Sequence, residues 1–291
     1  MTDAPRSKSA AKGERPPLPE PLPVPVADSH CHIDIGYDDQ WLEVEEAQSL
    51  AEAAGVDRIM QIGVDVPSSE WSVNAANTYP RILATVALHP NEAPRIVQHE
   101  GETGLENAIT RIAELATDPR VRGIGETGLD FFRTTGEEDL RWQEYSFRRH
   151  IRIAQELGKA VVVHDRDAHD DVVRVLLDER VTTDVIFHCF SGDESLARIA
   201  AEHGWYCSFA GPVTFKANAH LRAALALLPQ ELILVETDAP FLAPLPYRGK
   251  PNASYLIPHT MRVMADVRGV ALESLCAAVS ANTERVFGSF A

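Results

Sequence analysis

Ala160-Val161-Val162-Val163-His164 is a wholly apolar run closed by a histidine, and the chain repeats that design. A short run with no polar face fits a parallel strand buried on both sides. Val185-Ile186-Phe187 runs into His188, and Leu232-Ile233-Leu234-Val235 into Glu236-Thr237-Asp238. Val121-Arg122-Gly123-Ile124-Gly125 ends on Glu126. Near the start, Val24-Pro25-Val26-Ala27 leads into Asp28-Ser29-His30-Cys31-His32-Ile33-Asp34. Residues two apart on an extended strand point to one face, so His30 and His32 aim both imidazoles at one place.

Helical periodicity fills the spaces between these runs. The predicted strands are Val26–Cys31, Val56–Val64, Ile82–Leu88, Val121–Glu126, Ala160–His164, Val185–His188, Trp205–Phe209 and Leu232–Thr237. The predicted helices are Asp39–Ala54, Pro67–Asn77, Leu105–Ala116, Glu138–Leu157, Asp167–Asp178, Glu194–His203, Ala217–Leu227, Pro258–Arg268 and Leu272–Val286. Eight strands alternating with helices point to an α/β fold, a single (β/α)8 TIM barrel. An open doubly wound sheet is the alternative, but it would want a Gly-rich phosphate loop, and neither G-x-G-x-x-G nor a P-loop is present. The barrel spans residues 25–291. Residues 1–24, rich in Pro, Ala and Ser, are expected to be a disordered or polyproline tail.

The composition sets limits. The chain has 291 residues, 45% of them hydrophobic, which suffices for one large barrel. Its net charge of -16 gives no global attraction to nucleic acid or to an anionic membrane, so a polyanion would be held by local cations and metal ions. Cys31, Cys189, Cys207 and Cys276 form no Cys-x-x-Cys, which argues against a disulfide framework and fits a reducing cytosol. There is no membrane-length apolar run and no signal-peptide h-region, so a cytoplasmic protein is expected, with no membrane partner and no obligate protein partner evident.

His30, His32, Glu126, His164, His188 and Asp238 all fall at C-terminal strand ends, where barrel enzymes build their sites. Any one of them has a bland reading as a hydrogen-bonded core residue. Six residues of metal-binding type at one barrel mouth are hard to explain by packing. Four histidines and two carboxylates exceed the needs of one four-coordinate ion. Two divalent ions (Mg²⁺, Mn²⁺ or Zn²⁺) sharing the Glu126 carboxylate are expected, with His30, His32 and Asp238 completing one and His164 and His188 the other.

These residues resemble the TatD family of metal-dependent deoxyribonucleases, among the amidohydrolase-like metallohydrolase barrels. The similarity rests on Asp28 to Asp34, Gly125-Glu126-Thr127-Gly128-Leu129-Asp130, His164-Asp165-Arg166-Asp167-Ala168, His188-Cys189-Phe190-Ser191-Gly192, Val213-Thr214-Phe215-Lys216 and Glu236-Thr237-Asp238-Ala239-Pro240, in the family's order. It implies a TIM barrel, a divalent-metal site at the six residues and hydrolysis of phosphodiester bonds in DNA, often as a 3′–5′ exonuclease. The chain departs from the family twice. His89-Pro90-Asn91 stands where His-Pro-His is usual, which leaves His89 as a substrate contact or loop anchor. Pro251 and Ala253 replace an Arg and a Glu in the late loop, which bears on substrate-loop geometry.

Asp238 is the candidate to orient a nucleophilic water and take its proton, against a reading as a helix N-cap. Arg166, two residues past His164, is the candidate phosphate ligand, against an ion pair with Asp165 or Asp167. Lys216 is a candidate to neutralise the transition state, with Arg248 and Lys250 further out; solvated surface charge is the bland reading. Tyr37, Phe131 and Phe132 are candidate base-stacking residues, against ordinary loop packing. Asp28 and Asp34 read as orienters of the ligands. The expected substrates are ends of DNA, with RNA also open. The rival reading is an amide or ester hydrolase, for example of aminoacyl esters, on the same barrel. A non-catalytic scaffold that recruits partners through the Pro-rich tail is a third.

Overall fold

Eight strands of three or more residues supply the buried runs that the sequence predicts, and residues 6–7, 14–36 and 41–290 are described in this computed structural model. The strands are β1 (Val26–Cys31), β2 (Val56–Ile62), β3 (Ile82–Val86), β4 (Val121–Asp130), β5 (Ala160–Arg166), β6 (Val185–Phe187), β7 (Tyr206–Phe209) and β8 (Ile233–Val235). The helices are α1 (Val44–Ala53), α2 (Val66–Thr78), α3 (Glu92–Leu115), α4 (Glu137–Leu157), α5 (His169–Asp178), α6 (Glu194–His203), α7 (Ala219–Leu227), α8 (Ile257–Arg268) and α9 (Leu272–Phe287). None of the helices among the described residues is long and apolar enough to cross a membrane.

Two compact units are present. The first comprises Met1–Gln61, Gly192–His203 and Cys207–Arg285. In it β1 pairs in parallel with β2, and β8 with β7. The chain just beyond β8 joins β1: Asp238 N donates to His30 O at 2.9 Å, and His32 N to Ala239 O at 2.8 Å. Val26, Ala27, Met60, Cys207 and Ile233 through Val235 are fully buried.

The second unit comprises Ile62–Ser191, Gly204–Tyr206 and Val286–Ala291. Here β3, β4, β5 and β6 lie side by side in parallel. Val161, Val163, Ile124 and Val185 are completely buried, as apolar strands covered on both faces should be. In the β4–β5 pair, Gly128 lies opposite His164 and Asp130 opposite Arg166. Gly128 has φ 145°, and a Cβ there would sit 2.0 Å from the His164 carbonyl oxygen, so only glycine lets the strands approach.

Three expectations are corrected. Residues 14–24 are not wholly disordered: the Tyr255 hydroxyl donates to Pro16 O at 2.6 Å, Leu22 N donates to Ala54 O at 3.0 Å, and Pro16 and Leu22 are buried, while Pro17, Leu18, Glu20, Pro21 and Pro23 are exposed. Residues 1–5 and 8–13 of the expected tail lie outside the described residues, as do Tyr37 and the first residues of the helix expected from Asp39. The helix expected to begin at Leu105 is the second part of α3, which starts at Glu92 and breaks at Gly101, where φ is 73°. Pro94 in the first turn is compatible with a helix start, so it is no breaker there. Strand β4 runs four residues past Glu126, to Asp130.

Candidate metal centre

In the first unit, His30 and His32 sit at the end of β1 with ring centroids 5.1 Å apart. Their Nε2 atoms lie 3.9 and 3.4 Å from Asp238 Oδ1. Asp238 has φ 53°, a left-handed conformation that Asp tolerates better than most residues. It is held there by the backbone bond to His30 and by its neighbours. Asp28 accepts hydrogen bonds from Thr237 N (2.9 Å), Thr237 Oγ1 (2.5 Å) and His30 N (3.3 Å), which ties the two ligand-bearing segments together. Burial pushes the Asp28 carboxyl up to about 7, against those hydrogen bonds. Asn252 donates to Thr237 O (2.9 Å) and Phe241 O (2.6 Å), anchoring the late loop to the same turn. Gln61 straps the other side, donating to Asp34 Oδ1 and accepting from Ile33 N, both at 2.7 Å.

In the second unit, three imidazoles converge on one oxygen. Glu126 Oε1 is 2.5 Å from His164 Nδ1, 3.0 Å from His188 Nε2 and 3.5 Å from His89 Nε2. Burial pushes the Glu126 carboxyl up, but His188, His89 and His164 outweigh it and hold the group well below its usual range. For His164 burial favours the neutral ring, but Asp130 and Glu126 prevail and raise it. Asp130 Oδ2 faces His164 Nε2 at 3.5 Å. His89 Nδ1 accepts the Asn91 backbone N–H at 3.1 Å, so the proton of the neutral ring is on Nε2, toward Glu126. Burial lowers His89 to about 3, which keeps that ring neutral.

Each set suits a divalent ion in donor chemistry. His30, His32 and Asp238 offer three ligand atoms within 4.8 Å of one another. In the second unit Glu126 Oε1, His164 Nδ1 and His188 Nε2 lie within 3.4 Å of one another, and His89, Asp130 and His164 form an overlapping group. Mixed imidazole and carboxylate donors are those of Zn²⁺ and Mn²⁺ sites. A buried carboxylate ringed by imidazoles is also a place where positive charge is stabilised.

The other predicted residues fall as follows. The Arg166 guanidinium lies 3.9 Å from the ring centroid of Phe132, which is 60% exposed. Asp165 bonds His169 Nδ1 at 2.7 Å. Lys216 is exposed in the first unit, on a loop whose carbonyls at Val213, Phe215 and Lys216 accept from Arg222. Arg248 stacks on Phe215 at 4.6 Å. Asp130 and Asn91 carry no role in the sequence reading beyond membership of the quoted motifs, and Gln143 is not singled out there at all. Asp130 shares a strand face with Glu126, four residues away, and that periodicity would have marked it had the strand been carried past Glu126.

Comparison with known proteins places these observations. The profile of the family described as "TatD related DNase" matches residues 27–288. The "Uncharacterized metal-dependent hydrolase TatD" of Mycobacterium tuberculosis is 35% identical over 266 residues, covering 90% of this chain and 98% of that protein. The "Uncharacterized metal-dependent hydrolase YcfH" of Escherichia coli K12 is 34% identical over 264 residues, covering 90% and 95%. The crystal structure of YjjV, a TatD homolog from Escherichia coli K12, superposes with a TM-score of 0.80 at 23% identity, over 91% of this chain and 98% of that one. That likeness shows the fold, a TatD-like TIM barrel.

Proposed function

Since this chain belongs to the TatD-related DNase family of metal-dependent hydrolases, we propose that it cleaves phosphodiester bonds at the ends of DNA, as a 3′–5′ exonuclease using two divalent ions. His30, His32 and Asp238 would hold one ion, and Glu126, His164 and His188 the other. Such ions would supply an activated water and charge stabilisation for the leaving oxygen. The chain's own groups do the rest. Asp238 orients the water and takes its proton. Asp130 and His89 fix which nitrogens and oxygens His164 and Glu126 present.

The observation that carries the phosphodiester reading is Arg166. It lies two residues beyond His164 on β5, hence on the same face, with its guanidinium carbon 3.9 Å from the centroid of the exposed Phe132 ring. A guanidinium held by stacking keeps its N–H fork free for a phosphate, and the outer face of Phe132 suits a base. Lys216 adds charge against the transition state. Glu126 occupies the strand-four place where many amide-cleaving barrels use a carbamylated lysine, which weighs against amide or ester substrates.

The test is substrate competition on Mn²⁺-loaded protein. Single-stranded DNA with a free 3′ end should be shortened from that end to 5′-mononucleotides, and a 3′-blocked strand should resist. Turnover of aminoacyl esters or amides with no DNA cleavage would move the assignment to the rival chemistry.

A further inference from the structure

We infer that Asn91 is a positioning residue for the metal set of the second unit, fixing His164 through Asp130. The inference rests on the proposed reading that Glu126, His164 and His188 hold an ion. It concerns a place where this chain departs from the family pattern, since a histidine is usual there.

The geometry leaves the Asn91 carboxamide one orientation. Its Oδ1 accepts from Thr134 Oγ1 at 2.9 Å and from Gln143 Nε2 at 3.1 Å. With two donors on that side, the amide nitrogen must be the atom facing Asp130 Oδ2, at 3.0 Å. Gln143 is fixed in turn, because its Oε1 accepts from Asp130 N at 2.9 Å and its side chain is fully buried on α4. Asp130, 1% exposed, takes the Arg133 backbone N–H on its other oxygen at 2.9 Å. Both carboxylate oxygens are therefore pinned, and the one pinned by Asn91 is the one 3.5 Å from His164 Nε2. That carboxylate oxygen faces His164 Nε2 as a charge partner, beyond hydrogen-bond geometry in this structure, while His164 Nδ1 lies 2.5 Å from Glu126 Oε1.

The same short turn acts a second time. The Asn91 backbone N–H fills His89 Nδ1, which sends the Nε2 proton toward Glu126. One residue thus governs the presentation of two proposed ligands, His164 by its side chain and Glu126 by its main chain. A neutral histidine offers one donor and one acceptor; the asparagine amide offers two donors and an acceptor able to take two bonds, and three of those places are used here.

Asn91→Asp is the discriminating variant. It matches the native side chain in size and keeps the acceptor for Thr134 and Gln143, but replaces the donor to Asp130 by a second carboxylate oxygen. Mn²⁺ binding to metal-stripped protein would be followed by calorimetry for wild type, Asn91→Asp, Asn91→Ala, Thr134→Val and Glu126→Ala, with the melting temperature of each metal-free protein as a fold control. Asn91→Asp and Asn91→Ala should weaken the ion of the second set about 10–100-fold, the usual effect of removing a group that orients a ligand. Thr134→Val, which leaves Gln143 to fix the amide, should weaken it far less. The ion at His30, His32 and Asp238 should keep its affinity in all three. Wild-type affinity in Asn91→Asp while Glu126→Ala loses the ion would overturn the inference and leave the metal reading intact. Unchanged binding in Glu126→Ala as well would overturn the metal reading, and the inference with it.

Discussion

His150 Nε2, on α4, accepts the backbone N–H of Leu88 at 3.1 Å, one residue before His89. Its Nδ1 lies 2.7 Å from Ser146 O, to which it donates. The ring is fully buried, and burial lowers it to about 4. An unfolded histidine titrates near 6.5, so on acidification the unfolded chain takes the proton first. The stabilising contribution is complete above about pH 6.5 and is lost as pH falls toward 4.

That gives the first prediction. Between pH 7 and pH 5 the metal-free protein should lose about 2 kcal/mol through this residue, from a shift of roughly 2.5 units at about 1.4 kcal/mol each, partly expressed at pH 5. Urea unfolding at the two pH values checks it. His150→Gln keeps an acceptor and a donor but does not titrate, and should lose about 2 kcal/mol less on acidification than wild type. An equal loss in both would assign the acid sensitivity to other groups.

Gly128→Ala should damage the second unit out of proportion to one methyl group. The added Cβ meets the His164 carbonyl oxygen at 2.0 Å, and φ 145° is foreign to alanine. The strands must part where His164 is held, so stability should fall by about 2 kcal/mol or more and Mn²⁺ affinity should fall with it. Urea midpoints and calorimetry on the same preparation read both, and intact metal binding in the variant would contradict the role given to this close approach.

Much of this site was legible in the chain because polar residues stand where apolar strands stop. His30, His32, Glu126, His164, His188 and Asp238 mark themselves that way, and the structure gathers them as His30, His32 and Asp238 in one unit and Glu126, His164 and His188 in the other. Asp130, Asn91 and Gln143 were hidden for a physical reason. Their roles exist only through contacts 13 to 52 residues apart in sequence, which local periodicity does not register. The anchoring of Pro16 and Leu22 was hidden too: the stretch's Pro-rich composition is that of a solvated tail, and the contacts come from Tyr255 and Ala54. The barrel itself was readable because alternation of buried runs and amphipathic helices is a local property.

Arg166 and Phe132 should separate binding from chemistry. Arg166→Lys keeps the charge but loses the planar fork, and kcat/KM on single-stranded DNA should fall about 10–100-fold, as for loss of a charged hydrogen bond of about 1.5–3 kcal/mol. Phe132→Ala should raise KM by roughly 5–100-fold with little change in kcat, as for loss of one stacked base worth about 1–3 kcal/mol. Steady-state kinetics on a fluorescent oligonucleotide give both numbers. Wild-type kinetics in both variants would remove the Arg166–Phe132 pair from substrate recognition.

Asp28→Asn should loosen the first set without touching its ligands. The substituted amide keeps one acceptor oxygen where the Asp28 carboxylate receives three hydrogen bonds from Thr237 and His30. Affinity for the ion at His30, His32 and Asp238 should drop about 10–100-fold, measured by Mn²⁺ calorimetry. Full affinity in the variant would show that the backbone bonds alone hold Asp238.

The most direct measurement is release of 5′-nucleotides from single-stranded DNA by metal-stripped protein refilled with Mg²⁺, Mn²⁺ or Zn²⁺, with Glu126→Ala alongside. The account predicts no release without metal, release on refilling, and none from Glu126→Ala under any metal. Release by the stripped protein in excess chelator, or undiminished release by Glu126→Ala, would contradict it.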